Sequence, residues 1–114
     1  LWMIDLKSKQ AECMDIWNSE SVESYHCWSS NSRWVVFSSR RMDGLYTRPY
    51  IAYIGQDNRI GKPFILPQRS GNFYSLFMNS YNIPEMVRSK VEVSRRKLLD
   101  KLYDDEILKV VPRI

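Results

Sequence analysis

Four glycines in 114 residues leave no glycine-rich phosphate-binding loop. The chain has one histidine, His26, and no Gly-x-Ser-x-Gly elbow, so the sequence carries no sign of a serine hydrolase triad of its own. Its two cysteines, Cys13 and Cys27, match no zinc or haem spacing, and no second pair completes a metal site. They either pair in an oxidising compartment or, as expected here, stay as half-buried thiols. No apolar run approaches the ~20 residues needed to cross a bilayer. No catalytic residue, metal or cofactor is therefore expected. No signal peptide is visible either. The chain opens at Leu1 within a strand-like run, and is expected to be a piece of a longer protein.

What remains is rich in flat side chains. Four Trp and seven Tyr stand in a composition that is 44% apolar and 26% charged, which suits sheets better than small helical bundles. The net charge of +4 raises the question of nucleic acid. The basic residues are spread out, however. The densest cluster, Arg95, Arg96 and Lys97, opens a predicted helix with acids further along. No nucleic-acid partner is expected, because a binder concentrates charge on one face. Asp104-Asp105-Glu106 reads as a solvated acidic helix end.

The chain divides into residues 1–66, with a strand rhythm, and 67–114, without one. Leu1 to Leu6 is a short apolar strand, and Ala11 to Ile16 its return. Tyr25 to Trp28, Trp34 to Ser38, Arg48 to Ile54 and Lys62 to Pro67 follow as four short strands. Asp43-Gly44 marks a reversal, because glycine accepts positive φ freely. Pro63 and Pro67 bracket the last strand and suggest an edge. From Gln68 to Tyr81 no period is clear. Ser94 then precedes Leu98, Leu99, Leu102 and Tyr103 on one helical face, predicting a helix near 95–108.

Trp28-Ser29-Ser30-Asn31-Ser32-Arg33-Trp34-Val35-Val36-Phe37 resembles the repeat of TolB-like, WD-like β-propellers: Trp, then Ser-Pro-Asp-Gly, then a polar pair, then Ile-Ala-Phe. Ser38-Ser39-Arg40-Arg41 is similar to the Ser-x-Arg that follows it. Leu1 to Leu6 looks like the third strand of a preceding blade. The family's Pro, Asp and Gly are Ser30, Asn31 and Ser32 here, so positive φ is expected at Asn31 or Ser32. The segment Ser24 to Gln68 and Ser80 to Glu85 resembles the terminal part of such proteins from Bacteroidetes-type bacteria. The resemblance implies a mainly β fold: a partial propeller of about one and a half blades with a C-terminal helical tail. It also implies a periplasmic or cell-envelope location and a non-catalytic scaffold that binds a protein or envelope component. The alternative it carries is the propeller piece of a prolyl oligopeptidase-like peptidase.

Trp28, Val35, Phe37, Ile51 and Tyr53 are expected to pack one blade on the next. The candidate binding residues are Arg40, Arg41, Tyr46, Arg48 and Tyr50, placed on the long connection between two strands. An open blade face leaves two remedies. The tail covers it with Phe73, Tyr74, Leu76, Phe77, Met78 and the helix leucines, or copies associate. A two-fold homo-oligomer is the expectation.

Overall fold

The computed structural model describes residues 1–104, and it is mainly β. Strands β1 (Trp2–Ile4) and β2 (Ala11–Cys13) form one antiparallel hairpin. Strands β3 (Glu23–Trp28), β4 (Trp34–Ser39), β5 (Arg48–Tyr53) and β6 (Phe64–Ile65) form a second sheet in sequential antiparallel order. Two helices follow, α1 (Phe73–Leu76) and α2 (Arg95–Leu102).

Local chemistry sets the turns. Asp5 closes the first hairpin, its Oδ1 accepting from the amides of Lys7 and Ser8, each at 2.7 Å. Between β3 and β4 the Ser29 hydroxyl accepts from Trp34 N at 2.9 Å, and Asn31 Oδ1 accepts from Arg33 N at 3.1 Å. The left-handed position falls on Ser32, at φ 55°, as the sequence led us to expect.

Residues alternate across the sheet, so it has two faces. One presents Val35, Phe37, Ser39, Arg48, Tyr50 and Ala52, which the β4–β5 register aligns. This face is the core. Val35 and Phe37 are 1% and 0% exposed, and Leu1, Met3, Met14 and Trp17 of the hairpin region pack on it. β2 ends at Cys13, short of the expected Ile16. The amides of Trp17 and Asn18 both donate to Met14 O at 2.8 Å, and that turn drops Met14 and Trp17 together into the core. A straight strand would send these two side chains to opposite faces. Trp17 Nε1 then donates to Gly61 O at 3.0 Å. A Cβ on Gly61 would stand 2.9 Å from Tyr53 O, so the close approach there requires glycine.

Three expectations need correction. Trp28 is 40% exposed, because β3 is an edge strand that Trp17 covers only from one side, ring centroids 6.3 Å apart. Ile51 and Tyr53 lie on the face opposite Val35 and Phe37. They are opposite Val36 and Trp34, so the five expected packing residues do not form one cluster. The tail covers less than expected. Tyr74 is buried, whereas Leu76, Met78, Leu98, Leu99 and Leu102 are exposed. Ser94 does cap α2, accepting from Lys97 N at 3.3 Å, and the last part of the predicted helix lies outside the described residues.

The second face is crossed by residues 81–86. Ser38 Oγ donates to Asn82 O at 2.8 Å, and Met86 N donates to Cys27 Sγ at 3.3 Å. Both cysteines are free.

The Ser32 geometry yields a stability test. A non-glycine residue in the left-handed region costs roughly 1–2 kcal/mol, partly offset by the extra unfolded-state entropy of glycine. Ser32→Gly should raise stability by about 0.5 kcal/mol, read as a shift in the urea midpoint at unchanged slope.

Candidate functional site

The connection between β4 and β5 runs from Arg40 to Thr47. Its shape comes from two local devices. Gly44 takes φ 72° and its amide donates to Arg40 O at 2.7 Å. Asp43 Oδ1 accepts from the amides of Leu45 and Tyr46, both at 2.8 Å. These bonds pull the Asp43 carboxyl below its ordinary range. Arg40, Met42 and Leu45 are left exposed at the tip.

Arginines at the two ends fix this loop to the body. Arg41 turns inward on the core side. Its guanidinium lies 4.7 Å from the centroid of Tyr50 and 5.6 Å from that of Phe37, a cation–π arrangement. It donates to Ser39 Oγ at 2.9 Å, to Glu23 Oε1 at 3.0 Å, and to the Trp17 carbonyl. Glu23 is held from several directions at once. Burial alone would raise its pKa. Ser19 through hydroxyl and amide, the Ser39 hydroxyl and the Arg41 charge outweigh that and hold it below the ordinary value of 4.5.

Arg48 is more deeply placed, at 1% exposed. Its Nη1 donates to Asn79 O at 2.6 Å, and its Nη2 to Tyr74 O at 3.0 Å and Phe77 O at 2.8 Å. The three carbonyls belong to α1 and the turn after it, where a helix end lacks internal donors. Tyr46, Tyr74 and Phe77 surround the guanidinium, with centroids at 5.0, 5.7 and 5.9 Å. Asp43 Oδ2 stands 3.7 Å away. Arg48 Nε and Thr47 Oγ1 are buried without a partner.

Of the five residues read from the sequence, Arg41 stacks on Tyr50 and Arg48 on Tyr46, and the five differ in exposure. Arg40 is on the surface, Tyr46 and Arg41 are half-buried, and Arg48 and Tyr50 are buried in β5. Burial is the main cause that pushes the Tyr50 phenol above its ordinary range. The surface part of the site is Arg40 with Met42 and Leu45. The last two escaped the sequence reading, although their places flanking Asp43-Gly44 put them at a turn tip. Among the described residues no group of His, Cys, Asp or Glu is arranged to hold a metal ion. No described helix is long and apolar enough to cross a membrane. Comparison with protein-family models, curated proteins and solved structures yields no match.

Two outcomes follow from the arginines. Arg48→Met keeps the stem but strands three carbonyls, and should cost about 3 kcal/mol. Limited proteolysis should then cut within residues 73–82 at denaturant levels where the parent chain resists. Glu23, with its lowered pKa, contributes stability that is present above 4.5 and lost as pH falls through its folded-state value. Glu23→Gln should therefore lose stability at neutral pH and show a flatter decline of the urea midpoint on acidification than the parent.

Proposed function

We propose that the chain is the terminal part of a TolB-like β-propeller and serves as a non-catalytic protein-interaction scaffold in the cell envelope. The observation that carries this reading is the packing of the two sheets. A blade is four sequential antiparallel strands, and β3-β4-β5-β6 has that order. The β1–β2 region lies on one face of it, with Leu1, Met3, Met14 and Trp17 against Phe37 and Ala52. That is how the outer half of one blade would meet the next. The envelope location rests on the sequence resemblance.

In this reading the β4–β5 loop is the contact surface. Arg40, Met42 and Leu45 offer one cation beside two apolar side chains, a combination favoured at interfaces. Arg41 and Arg48 hold the loop without meeting the partner themselves. Preorganisation of this kind lowers the entropy lost on binding.

The test is retention of an envelope-fraction protein on the immobilised chain, with Arg40→Glu, Met42→Asp and Leu45→Asp compared at equal melting temperature. Loss of affinity of roughly tenfold or more at the tip variants is expected. Turnover of peptide or ester substrates by the intact protein, with retention indifferent to all three changes, would sink the reading.

A further inference from the structure

β1 pairs with β2 on one side only. Leu1 O accepts from Met14 N at 3.1 Å, and Asp5 N donates to Gln10 O at 2.9 Å. Bonded and non-bonded positions alternate along an antiparallel pair. The bonded row towards β2 therefore falls on Leu1, Met3 and Asp5. The N–H and C=O groups of Trp2 and Ile4 point the other way, as one open row. Exposed rows of this kind template further strands.

The row looks onto a hollow of about 400 Å³. Trp2 and Ile4 of the edge line it together with Trp17 and Val35 of the core and His26 and Trp28 of β3. No Asp, Glu, Lys or Arg side chain is among its lining residues. A second hollow, about 550 Å³, shares Met3, Ile4 and Trp28 with the first and adds Asp5, Glu12 and Arg33. Arg33 there already donates to Gly55 O. Two carboxylates against one engaged guanidinium leave that end negative.

We propose that this trench, beside β1 and over β3, is an acceptor site for one extended strand of a partner protein. The strand bonds to the open row of Trp2 and Ile4, lays an aliphatic side chain against Trp28, and sets a Lys or Arg near Asp5 and Glu12. A second copy pairing through β1 is the less suited occupant: Leu1 to Leu6 carries Asp5 and no basic residue, so it brings a carboxylate and not a cation to this trench. The inference stands on the edge geometry, apart from the β4–β5 loop, and it competes with the propeller reading, in which the inner half of β1's own blade takes this edge.

The test uses the full chain and the peptide acetyl-Thr-Ile-Thr-Val-Thr-Lys-Thr-amide, whose Ile, Val and Lys share one face when extended. Saturable change in tryptophan fluorescence is expected. Amide exchange at Trp2 and Ile4 should slow by roughly tenfold or more, whereas Met3, already bonded to β2, should not change. The same peptide N-methylated at the Ile, Val and Lys amides or at the two interior Thr amides, so that either row of donors is blocked, should lose binding in at least one form. Glu in place of its Lys should weaken binding several-fold. Ile4→Pro removes one outward donor, and should abolish binding with Met3 protection intact. Three results would each overturn the proposal: no slowing at Trp2 and Ile4 at millimolar peptide, undiminished binding by both N-methylated forms, or full protection of both amides before peptide is added. The last would mean that the chain's own residues fill the trench.

Discussion

A guanidinium cannot be taken out of water without acceptors, and Arg48 is almost wholly out of water. Its nearest carboxylate, on Asp43, is 3.7 Å away, too long for a hydrogen bond. The compensation has to come from main-chain carbonyls, and the chain supplies three of them from residues 74–79. That need fixes the course of everything after Pro67. Helix α1 is only four residues long, has no side-chain cap, and buries one side chain, Tyr74. So short a helix has no stability of its own. It stands where it does because Arg48 occupies its open carbonyls and Tyr74 donates to Leu66 O at 2.7 Å. Beyond it, Tyr81 N reaches Thr47 O at 2.9 Å and Ser38 bonds the next carbonyls, so the tail is drawn across the second face.

Arg41 does the corresponding work at the other end of the loop, on the same face of the sheet. It joins the Trp17 carbonyl, Glu23 on β3 and Ser39 on β4, while its flat side rests on Tyr50 and Phe37. Both arginines border the same loop, one at each end. Asp43 and Gly44 set the loop's path, and the arginines tie its roots to two different parts of the chain, Arg41 to the Trp17 carbonyl and Glu23, Arg48 to the carbonyls of residues 74–79. What is left free at the tip is held by neighbours that are themselves fixed. A surface carried on rigid supports loses little freedom when something binds to it, which links the packing of this region to the role proposed for it.

Much of this was legible in the sequence where the cause is local. Trp34 to Ser38 is β-branched and aromatic, and it is a strand; the turn at Ser29 to Arg33 carries its own capping side chains; Ser94 caps a helix. The misreadings share one physical origin. Period two tells which residues share a face, but not which face is covered, or how far along. Trp28 and Val35 are cross-strand partners, yet one is half out and the other fully in, because the hairpin stops short of β3. Arg48, next to Pro49 at a strand start, reads as a surface residue. Its burial depends on carbonyls 26 to 31 residues further on, which no local pattern announces. Met14 and Trp17 are three apart, a helical spacing for a single turn, and look like a continuing strand only while alternation is assumed.

The sheet edges show the same logic of local guards against distant cover. β3 is bent by an irregularity between Ser24 and Cys27, with Tyr25 at φ 50°. A bulge of that kind turns an edge away from an incoming strand. β6 is two residues long and lies between Pro63 and Pro67. β2 has the charged Glu12 at its centre. β1 has none of these devices: Trp2, Met3 and Ile4 are apolar, regular in register and uncharged. Two of them, Trp2 and Ile4, are also among the most exposed large apolar residues of the strands. An edge without guards persists in water only at the risk of pairing. Where three of the four edge strands carry a guard of their own, the fourth is the one whose protection has to be supplied from outside the two sheets.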